Sequence, residues 1–315
     1  MPAIRFWSKC MFKEYFLEDE QGRTHICQWE PAGEPKAIVQ IVHGIAEYAQ
    51  RYSSFAEHLN KYGYLVVAED HLGHGKTARR GSVQGYFNGG WFSAVEELLT
   101  VKNAIREVYP DTPYIFFGHS MGSFMVRTLL TDYPDLDIHG CVICGTGWMP
   151  DLVVNAGLGI CKQVCKKNDE KKPNDFLHKI VFGGYNKKIE HPRTAFDWLS
   201  RDKEQVDAYV EDPLCGFSPS AGLLRDMLTG FSHIQKKSNL QQMNRETPIL
   251  FIAGGDDPVG DYGKGVRKAA KRFKELGMLN VTCKVYPLCR HEILNEINRF
   301  EIFEDVQSWM EVLLA

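Results

Sequence analysis

From Ala37 onward the sequence alternates two textures. Short apolar runs rich in Val and Ile (Ala37–Val42, Tyr64–Ala68, Tyr114–Phe117, Gly140–Cys144, Ile249–Ile252 and Val281–Tyr286) are separated by amphipathic stretches. Near-continuous apolar runs of this length suit strands covered on both faces, and strand–helix alternation means a mostly parallel sheet with helices on both sides. The helical faces can be read from their spacing. They are Tyr52, Phe55, Ala56, Leu59 and Tyr62 before Gly63, and Val95, Leu98, Val101, Ile105 and Val108 before Pro110. Two more are Val266, Ala269, Ala270, Phe273 and Leu276 before Gly277, and Phe303, Val306, Trp309, Met310 and Leu313 at the end. Ahead of the alternation, Met11–Glu18 and Thr24–Glu30 flank a polar turn around Gly22 and read as an antiparallel hairpin.

The alternation stops near residue 145 and resumes near 247. Between them only helical pieces can be read: Leu152–Lys166, Asp175–Val181, Thr194–Leu199, Glu204–Val210 and Leu223–Ile234. An all-helical stretch between two strands of one sheet is a cap rather than a module in series. The expected organisation is a core first part over 1–144, a helical cap over 145–246 and a core second part over 247–315. With 315 residues the chain buries a core that needs no staples. Its formal charge of −3 lacks the basic excess of a nucleic-acid binder. Nine cysteines, several inside apolar runs, read as free thiols of a reducing compartment. Residues 1–9 lack a signal-peptide apolar stretch, and no 18-residue apolar run occurs, so a cytoplasmic location is expected.

Gly118-His119-Ser120-Met121-Gly122 directly follows one strand and opens the helical segment Phe124–Leu130. A strand-to-helix turn this tight strains the central residue, and glycines two positions to each side remove side chains that would collide. Ser120 is thereby exposed at the carboxyl end of the sheet, where open α/β folds bind ligands. A nucleophilic serine needs a base, an orienting carboxylate and donors for an oxyanion. Later strands run into Ala253-Gly254-Gly255-Asp256-Asp257-Pro258 and Pro287-Leu288-Cys289-Arg290-His291. His291 is the candidate base. Asp257 is its candidate partner, favoured over Asp256 by its spacing from Gly254 and by the proline that follows. The candidate oxyanion donors are the backbone N–H of Met121 and that of Ile45, in His43-Gly44-Ile45-Ala46-Glu47-Tyr48.

His43-Gly44, Gly118-His119-Ser120-Met121-Gly122, Asp257 and His291 together resemble the α/β-hydrolase superfamily. Asp70-His71-Leu72-Gly73-His74-Gly75, with Asp197–Asp202 and Asp212–Phe217, narrows the likeness to the monoacylglycerol lipase and lysophospholipase-like group, serine aminopeptidase S33, in its bacterial form. Tyr48 departs from the histidine of mammalian members. The resemblance covers about residue 11 to the end. It implies a serine hydrolase cleaving carboxylic esters through an acyl-enzyme, a carboxylesterase, monoacylglycerol lipase or lysophospholipase, with no cofactor or metal. The alternatives are an S33-type aminopeptidase, a small-ester esterase, or a non-hydrolytic binding protein on the same fold. A peptidase would need an acidic patch, for which Glu190, Asp197, Glu211 and Asp212 are available.

Three further patterns have plainer readings. The stretch Asp70–Thr77 nearly spells a phosphate loop, but Asp70 puts an anion where the cradle must not be negative, so local turn hydrogen bonds are expected. Cys141 and Cys144 lie three apart in a strand, face opposite sides, and cannot chelate together. Residues 161–188 carry eight lysines against three acids. Attraction to a membrane or micelle surface is one reading and a solvated cap surface the plainer one. The cap's Val153, Val154, Leu158, Ile160, Phe176, Ile180, Val181, Phe182 and Phe196 are enough to line an acyl channel, with at least half expected in the cap's own core.

Overall fold

The computed structural model describes residues 11–19, 22–77 and 83–315. Residues 1–9, Cys10, Glu20, Gln21 and Gly81 lie outside the described residues. β1 (Met11–Asp19) and β2 (Gly22–Glu30) form the antiparallel hairpin, with Met11 opposite Glu30. Six strands follow: β3 (Ala37–Val42), β4 (Tyr64–Glu69), β5 (Tyr114–His119), β6 (Gly140–Cys144), β7 (Ile249–Gly254) and β8 (Val281–Tyr286). Their order across the sheet is β1-β2-β4-β3-β5-β6-β7-β8. β2 joins β4 antiparallel, and every pair beyond is parallel. This is the mostly parallel sheet with helices on both faces that the alternation predicted, as the α/β-hydrolase resemblance implied.

The helices are α1 (Ser53–Lys61), α2 (Gly90–Val108), α3 (Met121–Asp132), α4 (Asp151–Lys167), α5 (Asp175–Phe182), α6 (Lys203–Glu211), α7 (Ala221–His233), α8 (Lys237–Leu240), α9 (Lys264–Glu275) and α10 (Arg299–Leu314). Strand residues alternate between two apolar clusters, one on each face of the sheet. Ile38, Phe116, Cys141 and Phe251 pack with α2, α3 and α9, while Val39, Phe117, Cys144 and Ile252 pack with α1 and α10. Cys141 and Cys144 thus sit in different clusters, and the eight described cysteines are free. No helix among the described residues is long and apolar enough to cross a membrane.

Several details differ from the sequence reading. β8 is the edge of the sheet, and there Thr282 and Lys284 are exposed. Tyr62 and Val108 sit at the ends of α1 and α2 and face solvent, because the last turn outruns the core beneath it. Thr194–Leu199 is a turn rather than a helix. The Asp197 carboxylate accepts from the Arg193 and Thr194 amides and the Thr194 hydroxyl, a local bonding pattern that competes with helix formation. The short α8 had no readable periodicity.

The chain reverses direction across the sheet between β3 and β5, which are neighbours with crossovers leading to opposite sides. The crevice beyond the carboxyl ends of such a pair is where ligands bind in open α/β sheets. Between β6 and β7 lie α4 to α8. Of these, α7 packs on α2 and α3, with Phe231 edge-on to Phe124 at 4.7 Å.

Candidate active site

Ser120 occupies the junction of β5 and α3 with φ 52 and ψ −119, a conformation an L-residue adopts only under constraint. The constraint is visible on both sides. The Ser120 N–H donates to Cys144 O at 2.9 Å, and the Ser123 hydroxyl donates to Ser120 O at 2.6 Å. A Cβ on Gly122 would stand 2.0 Å from Val42 O, and one on Gly118 would stand 2.6 Å from Gly122 O. Only glycine lets α3 lie this close to the end of β3.

The loops after β7 and β8 bring Asp257 and His291 together. Both are buried, and Asp257 Oδ1 lies 3.0 Å from His291 Nδ1 while also accepting from the Val259 amide. An ionised carboxylate only accepts, so this contact assigns the proton to Nδ1 and leaves Nε2 as the basic nitrogen. Asp256 is exposed, and its amide donates to Cys289 O. His291 and Ser120 line the same cavity.

Ile45 lies on the loop after β3, held tightly against Ser120: a Cβ on Gly44 would be 3.1 Å from Ser120 Cβ. Met121 opens α3, where first-turn amides have no helical acceptor and face the positive end of the helix dipole. The two candidate donors therefore flank the serine from two different elements.

Sequence reasoning passed over Glu47, Arg51, Glu292 and Trp198. Glu47 Oε1 accepts from the Gly44 amide at 2.6 Å and the Tyr52 hydroxyl at 2.9 Å, and lies 3.2 Å from His119 Nδ1. Arg51 donates to Glu47 at 2.7 Å and, through both terminal nitrogens, to Glu292 at 2.7 Å each. Burial disfavours charge on all of them. Even so, His119 and Arg51 hold the Glu47 carboxyl well below its usual range, Arg51 lowers Glu292, and Glu47 raises His119 above the usual histidine value. Three-residue spacing from Gly44 to Glu47 and four-residue spacing to Arg51 were the only signals in the sequence. Trp198 packs on His291 with ring centroids 5.1 Å apart, and its carbonyl accepts from the His291 amide.

Two cavities meet at Ser120. The smaller, about 230 Å³, includes His291, Glu47, His178 and Asn186 in its wall. The larger, about 620 Å³, is mostly apolar and runs from Ser120 and Phe124 to Leu152, Ile160 and Ile180 on α4 and α5. Ile45, Phe182 and Trp198 border both. Of the nine apolar residues anticipated for a channel, Val153, Ile160, Ile180, Val181, Phe182 and Phe196 line one cavity or the other. Val154 is in the core and Phe176 is exposed, so fewer pack inside the helical segment than expected. Glu190, Asp197, Glu211 and Asp212 line neither cavity. Asp70 organises its own turn, accepting from the Ala49 and Lys76 amides and lying 2.9 Å from His25 Nδ1. Among the described residues no group of three or more His, Cys, Asp or Glu side chains is arranged to hold a metal ion.

The family model described as serine aminopeptidase, S33, matches residues 33–298. The chain belongs to this family. Among its relatives, the monoacylglycerol lipase of Mycolicibacterium smegmatis is 30% identical over 90% of each chain. The monoglyceride lipase of Rattus norvegicus is 28% identical over 90% of this chain and 88% of its own. A solved structure of a thermostable carboxyl esterase from Bacillus coagulans, in complex with glycerol, superposes with a TM-score of 0.89. It is 30% identical and covers 96% of this chain and 99% of its own.

Proposed function

We propose that this S33-family chain is a serine hydrolase that cleaves carboxylic esters of one long acyl chain, of the monoacylglycerol or lysophospholipid kind. The observation that carries this reading is the position of Ser120, where a small cavity walled by His291 opens into a larger apolar one. About 620 Å³ lies within the roughly 300–1,000 Å³ of small-molecule sites, and its apolar wall suits an acyl chain. The smaller cavity suits a compact polar alcohol.

Ser120 Oγ attacks the ester carbonyl as His291 Nε2 takes its proton, and the Ile45 and Met121 amides hold the oxyanion. Asp257 orients the imidazole and stabilises its charge. His291 then protonates the departing alkoxide, and water resolves the acyl-enzyme by the same route in reverse. Residues 145–246 act as a cap that walls the acyl cavity. The peptidase alternative loses support because Glu190, Asp197, Glu211 and Asp212 line neither cavity, and Glu47 and Glu292, which line the smaller one, are already paired with Arg51.

The cap also suits transient contact with a lipid surface. All eight lysines of 161–188 are exposed, beside exposed Leu152, Val153, Ile160 and Ile180 at the mouth of the larger cavity.

The test is a rate profile over p-nitrophenyl esters of increasing chain length, with Ser120→Ala as blank. A maximum at medium or long chains supports the reading. A maximum at acetate or butyrate transfers it to a small-ester esterase, and undiminished rates in Ser120→Ala remove it.

A further inference from the structure

We propose that the buried Glu47–Arg51–Glu292 relay is a positioning device that keeps the Ile45 loop, His119-Ser120 and the His291 loop in register for the reaction. This rests on the reading of Ser120 and His291 given above.

Glu47 and Arg51 follow β3 four residues apart, Glu292 follows β8, and both carboxylates stand in the wall of the small cavity. Glu47 holds the Gly44 amide, and so the turn leading into Ile45. The same oxygen faces His119, whose ring stands 4.8 Å from that of His291 and whose Nε2 is 3.4 Å from His291 O. Arg51 reaches Glu292, the residue after His291, with a two-pronged bond. Its guanidinium also lies 4.8 Å over the Tyr209 ring, and the Tyr209 hydroxyl donates to Ala46 O at 2.9 Å. Ala46 has φ 56 and accepts a second bond from the Gly216 amide, so the loop beside Ser120 is held from below by Glu47 and from above by the helical segment.

A buried ion pair is weak evidence for stability, because apolar residues of similar volume often serve as well. Geometry is where such a relay matters. A planar guanidinium fixed by two carboxylates sets distance and angle together, which a lysine or an apolar contact cannot do. Displacing reacting groups by about 1 Å costs on the order of 10²-fold in rate.

The experiment measures kcat and KM for Glu47→Gln and Arg51→Lys, normalised to the fraction of protein that reacts to completion with a fluorophosphonate. Glu47→Gln keeps the shape and one acceptor oxygen but removes the charge shared by Arg51 and His119. Arg51→Lys keeps the charge and breaks the fork. The expected result is a fall in kcat per labelled site of about 30-fold or more for Glu47→Gln and about 10-fold for Arg51→Lys, with KM within about threefold. If Glu47→Gln does not fold, Arg51→Lys and Glu292→Gln carry the same expectation. Per-site kcat within about twofold of wild type, with any loss confined to the labelled fraction, overturns the proposal, since a purely structural role changes how many sites are active rather than how fast each works. Ser120→Ala in the same assay separates the two readings: retained turnover there fails the site itself, whereas its loss alongside normal relay variants fails only the relay.

Discussion

Ser120 carries an unfavourable backbone conformation that its neighbours impose, and the clearest expectations concern that residue and its contacts. Ser120→Ala and His291→Ala are each expected to lower ester turnover by at least about 10³-fold without loss of folded protein, measured against a circular-dichroism control. Gly122→Ala is expected to act on the fold, since its methyl would meet Val42 O at 2.0 Å inside the sheet–helix junction. A loss of about 3 kcal/mol or more in denaturant unfolding would be in keeping with backbone strain of that kind. Ser120, Asp257 and His291 were legible because each follows a strand that is itself obvious. Glu47 and Arg51 were not. They were visible as residues, but Glu292 is 241 positions from its partner Arg51 and His119 is 72 from Glu47 along the chain, and no local pattern announces such contacts.

Elements read most reliably where burial on both faces removed ambiguity. β3 and β6 have the residues their apolar runs suggested, and both are wholly buried. The Thr194–Leu199 turn was misread because its spacing is helical while its hydrogen bonds, set by Asp197, are not. The turn after β4 has a consequence that its phosphate-loop look concealed. His43 and His71 stack with centroids 3.9 Å apart, His74 lies 5.4 Å from His43, and all three are fully buried. Burial first, then mutual repulsion, pushes His43 down to about 3, and burial pushes His74 down to about 4. As pH falls below about 6.5, the unfolded chain takes up protons that the folded turn refuses, so stability present at neutral pH is lost progressively toward pH 4 and below. His74 alone accounts for roughly 3.5 kcal/mol of this loss once pH is well below 4, from about 2.5 pH units at about 1.4 kcal/mol each. Thermal unfolding from pH 7 to 4.5 is expected to show a falling midpoint, and His74→Gln a shallower fall. Equal slopes in the two proteins would refute this account of the turn.

At the scale of the whole molecule, charge and apolar surface are distributed unevenly. The chain carries a formal −3, yet residues 161–188 alone carry eight lysines against Asp169, Glu170 and Asp175. A net −3 would be neutral to slightly repelled at an anionic bilayer. On the proposed reading the exposed lysines of 161–188 would reverse that locally, because each basic side chain near the surface is worth about 1 kcal/mol and the attraction dies within a Debye length of roughly 8 Å. The helices α4 and α5, which carry half of these lysines, also expose Leu152, Val153 and Ile180, which line the larger cavity, so electrostatic approach and apolar insertion would act together there. A substrate with one acyl chain could then pass from lipid to Ser120 without crossing bulk water. Binding to vesicles containing phosphatidylserine is therefore expected to exceed binding to neutral phosphatidylcholine vesicles and to weaken as salt rises from about 0.1 M to 0.5 M. Lys166→Glu with Lys167→Glu should abolish that preference while leaving turnover of a water-soluble short ester near wild type, since neither lysine lines the cavity beside His291. If the double variant binds both vesicles as wild type does, the lysines are a solvated surface and the apolar rim meets its substrate from solution.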